Sequence, residues 1–244
     1  RIKQMLGSVI LYAGKRTPIL TNYRTLAANI RYANIDTPIQ TLLVTSAAPT
    51  EGKTVTVTNL AISMAQTGNK VLLIDTDLRY PRIHRIFQQD RSPGLTDLLA
   101  DEASPVEEGS RIGEPFIRPT SIDGLYIFPC GAHVSNPEGM LLSEKMKRLV
   151  KSLSPEYDVI LLDSPPLVSA ADGIILATEV DATLIVIHSG KTKRQIVLQG
   201  KELLENINAP VLGVVLNNID NSKQYGSYYY YYHRSYYYPR DDEE

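Results

Sequence analysis

The sequence predicts an α/β domain with three layers, in which a mostly parallel central sheet lies between helices. Six short runs rich in branched apolar residues have the length and composition of buried strands. These runs occupy residues 42–45, 71–75, 125–129, 159–163, 183–188 and 211–217. Amphipathic patterns before and between them predict helices at about residues 22–33, 54–66, 142–153 and 192–206. Near-continuous apolar strands that alternate with helices are typical of parallel sheets covered on both faces.

The composition is that of one globular domain without a strong charge bias. The 244 residues suffice for one core of good size, and 43% hydrophobic and 21% charged content is ordinary for such a domain. A net charge of −2 gives no electrostatic basis for binding nucleic acid, so no nucleic-acid partner is expected. The single cysteine, Cys130, excludes an internal disulfide and suits a reducing compartment. No apolar run reaches the roughly 18 residues of a membrane helix.

The first predicted strand leads into a candidate phosphate-binding loop. Residues 46–54 read SAAPTEGKT, and the last three match the end of a Walker A motif, although Ala47 replaces its first glycine. In such loops the backbone N–H groups hold phosphates, the lysine reaches the β- and γ-phosphates, and the threonine hydroxyl binds Mg²⁺. A bare GKT could also be an ordinary helix N-terminus, but the preceding strand and following helix favour a site for ATP. The predicted nucleotide-binding residues of the loop are Thr50, Glu51, Gly52, Lys53, Thr54 and Val55.

Three aspartates lie at the ends of predicted strands. Asp75 and Asp77 come at the end of the second strand, and Asp163 ends the fourth. A buried carboxylate is costly unless it is paired or bound to a metal, and Mg²⁺ typically combines one or two carboxylates with phosphate oxygens and water. Asp163 is therefore interpreted as the Walker B acid. Asp75 and Asp77 would share one face of an extended strand end, where one could assist the metal while the other accepts a proton. Alternatively, one of the two caps the next turn.

The C-terminal segment is dominated by tyrosine. Glycine, serine and proline interrupt it and it ends in an acidic run, so residues 221–244 are expected to form a disordered, solvated tail. The tail is either an adhesive low-complexity segment or a set of phosphate acceptors. The candidate acceptors are Tyr225, Tyr228, Tyr229, Tyr230, Tyr231, Tyr232, Tyr236, Tyr237 and Tyr238.

Together these features resemble the bacterial tyrosine kinases (BY-kinases), the cytoplasmic kinase domains of capsular and exopolysaccharide co-polymerases of the Wzc and CapB type. The resemblance rests on the PTEGKT loop, on LIDTDLRYPR at residues 73–82, on LLDSPP at residues 161–166 and on the tyrosine cluster. It covers about residues 16–220 and the tail. It implies a P-loop NTPase-like fold. It also implies an ATP-dependent autokinase that phosphorylates its tail between subunits and so regulates capsule or exopolysaccharide synthesis and export.

The resemblance also implies a role for each matched residue. Lys53, Asp75 and Asp77 would be catalytic, with Asp75 as the base toward tyrosine and Asp77 assisting Mg²⁺. Asn217, at the end of the last predicted strand, matches the asparagine that related ATPases place near adenine. The implied ligands of Mg²⁺ are Thr54, Asp77 and the Walker B acid Asp163.

The sequence departs from the family pattern in two places. Thr50 stands where glycine is usual, which could tighten or reorient the phosphate loop. In the first predicted helix the family carries Glu-x-x-Arg-x-x-Arg for contact between subunits. The aligned positions here are Thr21, Arg24 and Ala27, so only the central arginine remains. This departure predicts that copies of the chain form rings weakly or through a different contact.

The resemblance implies three kinds of partner, namely neighbouring copies of the chain, a membrane co-polymerase or activator segment, and a protein-tyrosine phosphatase. It implies a cytoplasmic location at the inner face of the membrane, reached through a partner or an upstream transmembrane segment. Residues 1–20 are then a linker or an upstream-derived segment. Residues 21–220 would form the P-loop kinase domain, followed by the tail at 221–244.

Two other functions stay open on the sequence alone. An ATPase switch of the MinD or ParA type shares the phosphate loop and the strand-end aspartates. Such proteins usually carry a second lysine early in the loop, where this chain has Ala48, and they lack a tyrosine tail. A non-catalytic regulatory partner would bind ATP only to stabilise an assembly, and the intact lysine and aspartates argue against it.

Overall fold

Seven strands form one sheet in the computed structural model, which describes residue 9 and residues 18–33, 38–103, 106 and 111–219. The predicted tail and its nine tyrosines lie outside these residues. In chain order the strands are β1 (Thr41–Ser46), β2 (Val71–Asp75), β3 (Arg118–Pro119), β4 (Leu125–Phe128), β5 (Val159–Asp163), β6 (Ala182–His188) and β7 (Val211–Asn217). The sheet order is β3-β4-β2-β5-β1-β6-β7, and only the short β3 is antiparallel to its neighbour. The predicted parallel α/β sheet and its six predicted strands are confirmed.

Helices connect the strands and cover the sheet. In chain order they are α1 (Pro18–Tyr32), α2 (Lys53–Ala65), α3 (Ile83–Ile86), α4 (Leu95–Ala100), α5 (Pro137–Leu141), α6 (Glu144–Leu153), α7 (Asp172–Ala177) and α8 (Arg194–Glu205), with a 3₁₀ turn at Ser154–Glu156. Four of them match the predicted helices. The predicted helix at 142–153 begins instead at Glu144, because the Ser143 hydroxyl caps it by accepting the Met146 N–H at 3.2 Å. The short helices α3, α4, α5 and α7 span too few residues to show a periodic pattern in the sequence.

The sheet has an apolar core on each face, as its alternating side chains require. In β1, Leu42 and Val44 belong to the core that includes buried residues of α1 and α2. Leu43, between them, belongs to the opposite core, which includes buried residues of α6 and α7. This arrangement explains why the strands read as continuous apolar runs. Among the described residues, no helix combines the length and the hydropathy that crossing a membrane requires.

The carboxyl ends of the central strands meet at one edge of the sheet. Strand β2 pairs with β5 so that Asp75 lies opposite Asp163. Strand β5 also pairs with β1, with Val44 opposite Asp163, and β1 then leads into the phosphate loop. The chain therefore brings the loop and two of the predicted carboxylates together at the edge where open α/β sheets bind ligands.

Candidate active site

The phosphate loop joins β1 to α2 and requires glycine at its last position. Gly52 has a φ of 92°, a left-handed conformation that strongly favours glycine. A Cβ atom at this position would meet Asn217 Nδ2 at 2.1 Å. The Thr56 N–H donates to the Gly52 carbonyl at 2.9 Å and begins the helical pattern. The N–H groups of the preceding first turn, including those of Thr54 and Val55, have no partner within the helix and face the position of a phosphate in such loops.

Glu51, which precedes Gly52, contacts both the start of the loop and the end of β7. Thr50 adopts a φ of 65°, at the position where the family usually has glycine. Glu51 is buried, and its side chain accepts a hydrogen bond from the Ala48 N–H at 2.8 Å. The Asn217 side chain donates to the Glu51 carbonyl at 2.9 Å. Asn217, predicted to lie near adenine, is thus placed directly against the phosphate loop.

Lys53 extends from the first turn of α2 into the group of aspartates. Its Nζ lies 2.7 Å from Asp77 Oδ2 and 3.8 Å from Asp163 Oδ1. Asp163 is the last residue of β5, and Asp77 is the second residue after the end of β2. The predicted lysine and aspartates, which are far apart in the sequence, therefore form one cluster at the carboxyl edge of the sheet.

Asp75 and Asp77 both make local hydrogen bonds as well. Asp75 Oδ2 accepts the N–H groups of Arg82 and Ile83, each at 3.0 Å, and so caps α3. Asp77 Oδ1 accepts the Tyr80 N–H at 2.9 Å. The capping role considered for one of the pair thus applies to both. The second oxygen of Asp77 accepts a hydrogen bond from the Lys53 ammonium. The second oxygen of Asp75 is buried and accepts no hydrogen bond from the described residues.

The pKa values of this cluster depart from the ordinary ones. Burial raises the pKa of Asp75 well above its usual value, and the nearby charge of Asp163 raises it further. Burial also raises the pKa of Asp163 to about 6, although the Lys53 ammonium opposes the shift. For Lys53, burial alone would lower the pKa, but the carboxylates of Asp163, Asp77 and Asp75 together outweigh burial and raise it. Carboxyl groups whose pKa values are raised by burial and by a charged neighbour are typical of functional sites.

Unsatisfied carboxylate oxygens show that the cluster suits a cation. Asp75 Oδ1 and both oxygens of Asp163 are buried and accept no hydrogen bond from the described residues. The Thr54 hydroxyl approaches Asp163 closely enough to favour its charged form, but without hydrogen-bond geometry. Such buried charge is unfavourable unless a cation balances it. No group of three His, Cys, Asp or Glu side chains forms a complete metal site within the described ranges. A Mg²⁺ ion here would take its other ligands from phosphate, hydroxyl and water.

An arginine clamp beside the cluster was not predicted. Arg79 Nε donates to Asp172 Oδ2 at 2.9 Å, and Arg79 Nη2 donates to Glu138 Oε1 at 2.7 Å. Asp172 begins α7 and is fully buried, whereas Glu138 lies on α5. The clamp therefore ties the segment after β2, which carries Asp77, to two helices. Its partners are too distant in the sequence for a pattern to indicate them.

The comparisons with known proteins agree with this geometry. A protein-family model described as an AAA domain matches residues 49–212. The tyrosine-protein kinase YwqD of Bacillus subtilis (strain 168) is 34% identical over 230 residues, which cover 93% of this chain and 94% of YwqD. The chain belongs to the bacterial tyrosine kinases. Another member, the tyrosine-protein kinase ptk of Acinetobacter johnsonii, is 30% identical over 87% of this chain but only 29% of ptk. This family thus includes relatives of similar length and much longer ones.

Solved structures support the same family. The crystal structure of the chimerical protein CapA2B2 matches with a TM-score of 0.79 and 30% identity, covering 87% of this chain and 90% of the chimera. The cell division ATPase MinD of Pyrococcus furiosus matches with a TM-score of 0.62 and 24% identity, covering 75% of this chain and 74% of MinD. The likeness to MinD extends to the fold alone. The chain is therefore better described as a bacterial tyrosine kinase than as the MinD-type switch considered from the sequence.

Proposed function

We propose that this chain transfers the γ-phosphoryl group of ATP to tyrosine side chains, including those of its own C-terminal tail. The observation that carries the proposal is the cluster at the carboxyl edge of the sheet. There a phosphate-loop lysine, Lys53, meets Asp77 and Asp163 beside buried carboxylate oxygens without partners. Family membership supports the same activity.

The loop and the cluster divide the work of binding the nucleotide. The N-terminus of α2 and the Lys53 ammonium would hold the phosphates. Thr54, Asp77 and Asp163 would hold Mg²⁺. When bound, Mg²⁺ neutralises phosphate charge. Lys53 lies against Asp77 in the structure, so bound phosphates would offer this ammonium a second anionic partner. Positioning and charge neutralisation supply most of the catalysis in reactions of this class.

Asp75 is the proposed base toward tyrosine. A phenol has an ordinary pKa of about 10, so a carboxylate whose own pKa is raised accepts its proton more readily. The phenolic proton would move to Asp75 while the phosphoryl group moves to the phenolic oxygen and ADP leaves. Asp75 is fully buried, so binding of the acceptor must open access to its second oxygen.

The partners are proposed from the family and from the surface of α1. Thr21 and Arg24 are exposed on this helix, but Ala27 is only 8% exposed and packs against the core. Two of the three aligned contact positions thus lack a charged group, which supports the proposal that copies associate weakly. We further propose regulation of capsule or exopolysaccharide synthesis, attachment at the inner face of the membrane through a co-polymerase or activator segment, and reversal by a phosphatase.

Intact-mass measurement after incubation with MgATP tests the activity. The wild-type chain should gain several phosphate masses, and peptide mapping should place them on the tail tyrosines. Lys53→Met should gain none because an apolar side chain cannot neutralise phosphate charge. Lys201→Met removes an exposed lysine paired with Glu205 on α8 and should behave as the wild type. Phosphate gain in Lys53→Met would refute the assignment.

Mixing two chains tests transfer between subunits. The acceptor is Lys53→Met with its tail intact, and the donor is an active chain whose nine tail tyrosines are replaced by phenylalanine. Phosphate should appear on the acceptor, at a rate per molecule that rises with concentration. Phosphorylation of the wild type alone at a concentration-independent rate, with none in the mixture, would mean transfer within one chain.

A further inference from the structure

The buried carboxylate of Glu51 connects the phosphate loop to the segment between β6 and α8. The Glu51 side chain is nearly inaccessible, with the residue 3% exposed. Its Oε2 accepts the Ala48 N–H at 2.8 Å, and its Oε1 accepts the Thr192 hydroxyl. The Thr192 hydroxyl in turn accepts the His188 N–H, at the end of β6, at 3.2 Å. Glu51 therefore joins the start of the loop to the β6–α8 connection.

A second contact comes from the end of β7. Asn217 Nδ2 donates to the Glu51 carbonyl at 2.9 Å, and Asn217 Oδ1 accepts the Asn218 N–H at 2.9 Å. Both polar ends of this amide are thus used by the protein itself. The absence of a Cβ at Gly52 allows the close approach. The side chains of Glu51 and Asn217 thus both hold the loop.

The phosphate loop contains a strained residue, Thr50, whose backbone conformation needs support from neighbouring contacts. Thr50 has a φ of 65°, a left-handed conformation that is unfavourable for a β-branched residue. A strained residue of this kind persists only where its surroundings fix it. The adjacent Glu51 supplies contacts through its side chain to Ala48 and Thr192 and through its carbonyl to Asn217.

We propose that Glu51, Thr192 and Asn217 form a latch that holds the strained phosphate loop in its nucleotide-binding conformation. These three are positioning residues. The latch rests on one part of the proposed function, namely that the loop binds a nucleotide. Thr50, where glycine is usual in the family, makes the latch necessary in this chain. Loosening the latch lowers the fraction of molecules whose loop is competent. The apparent Kd for nucleotide then rises in inverse proportion to that fraction.

A double-mutant cycle tests the latch through direct binding of Mg²⁺ and a fluorescent ADP analogue. The four chains are wild type, Glu51→Ala, Thr50→Gly and the double variant. Glu51→Ala should raise the apparent Kd about tenfold, and amide hydrogen exchange of residues 47–52 without nucleotide should become faster. Thr50→Gly in the same chain should restore the Kd to within about threefold of wild type, because glycine adopts the left-handed conformation readily. Thr192→Val, which removes one hydroxyl, should raise the Kd by a few fold.

Kinase measurements and a control variant sharpen the result. Glu51→Ala should raise KM for ATP and change kcat little, since the loop is formed once nucleotide is bound. Asp181→Ala is the matched control, because the Asp181 carboxylate, like that of Glu51, accepts two hydrogen bonds. Its donors are the backbone N–H groups of Gln40 and Thr41, at the opposite edge of the sheet. It should leave the Kd unchanged.

Three results would overturn the latch. They are additive effects of Thr50→Gly and Glu51→Ala, an unchanged Kd in both Glu51→Ala and Thr192→Val, and a loss confined to kcat. If Glu51→Ala does not fold, Thr192→Val and its double variant with Thr50→Gly provide the same cycle. Binding and hydrogen exchange need no turnover, so a chain that binds nucleotide without phosphorylating tyrosine would refute the proposed function and still test the latch.

Discussion

Aspartates occur at both edges of the central sheet, but their surroundings are opposite. At the amino edge, Asp181 accepts the N–H groups of Gln40 and Thr41 at 3.0 and 2.7 Å, and Asp158 accepts that of Lys70 at 2.7 Å. Both residues are exposed. At the carboxyl edge, Asp75 and Asp163 are buried, and three of their four oxygens accept no hydrogen bond from the described residues.

This difference separates carboxylates that support the fold from those available for chemistry. Exposed aspartates that satisfy backbone N–H groups stabilise the start of strands at small cost, because water solvates their charge. Buried aspartates with unpaired oxygens carry a desolvation cost that the rest of the fold must offset. Strand pairing places Asp75 opposite Asp163, and Lys53 supplies only part of the balancing charge. The charge of the carboxyl edge thus suits the binding of a cation together with phosphates.

The largest expected effect is loss of catalysis at the carboxyl edge. Asp75→Asn and Asp77→Asn change volume little, and the amide oxygen can still accept the backbone N–H groups that each aspartate now accepts. The rate of tyrosine phosphorylation should fall by about 10²-fold or more in each, in line with contributions of general bases and charged ligands. The melting temperature without nucleotide should not fall, because neither variant adds a buried charge.

Asp158→Asn, at the amino edge, is the control for these two variants. It should retain the wild-type rate. A variant of the carboxyl edge that keeps its rate but loses much stability would make that aspartate a structural cap only.

An intermediate effect is expected in the pH dependence of stability. The pKa of Asp163 is about 6 in the folded protein and near 3.8 when unfolded, so the folded state binds this proton more tightly. The contribution of Asp163 to stability must therefore fall as the pH rises from about 4 to about 6, by up to about 3 kcal/mol. Urea unfolding at several pH values should show that the wild type loses stability relative to Asp163→Asn as the pH rises over this range. Equal slopes in the two proteins would contradict the raised pKa.

The smallest effect is expected at the amino edge. Asp181→Ala removes the acceptor of two backbone N–H groups and should lower the free energy of unfolding by about 1 kcal/mol, as loss of a capping side chain does. Tyrosine phosphorylation by the folded protein should stay at the wild-type rate, since Asp181 contacts the start of β1, at the opposite end of that strand from the phosphate loop. Urea unfolding measures the first quantity and a kinase assay the second. A strong loss of activity would show that the two edges are coupled.

The sequence indicates the carboxyl-edge cluster better than its supporting contacts. The strands are continuous apolar runs, and aspartates lie at the ends of two of them. Because the carboxyl ends of parallel strands lie at one edge of the sheet, this pattern suffices to group Lys53, Asp77 and Asp163. The short helix α3 and the two-residue strand β3 carry no such pattern. The Glu51–Thr192 contact joins residues 141 apart and the Arg79 clamp joins residues 93 apart. Contacts of that kind depend on the tertiary fold and leave no periodic signal.

The most direct test of the difference between the two edges is the Mg²⁺-dependent part of the thermal shift by ATP. Binding to the folded state raises the melting temperature by an amount that grows with the logarithm of ligand concentration divided by Kd. The wild type should gain more stability from ATP with Mg²⁺ than from ATP with a chelator. Asp163→Asn should lose that difference, whereas Asp181→Ala should keep it in full despite a lower starting temperature. A Mg²⁺-dependent gain that survives Asp163→Asn, or one that disappears in Asp181→Ala, would contradict the assignment of the carboxyl edge as the metal and phosphate site.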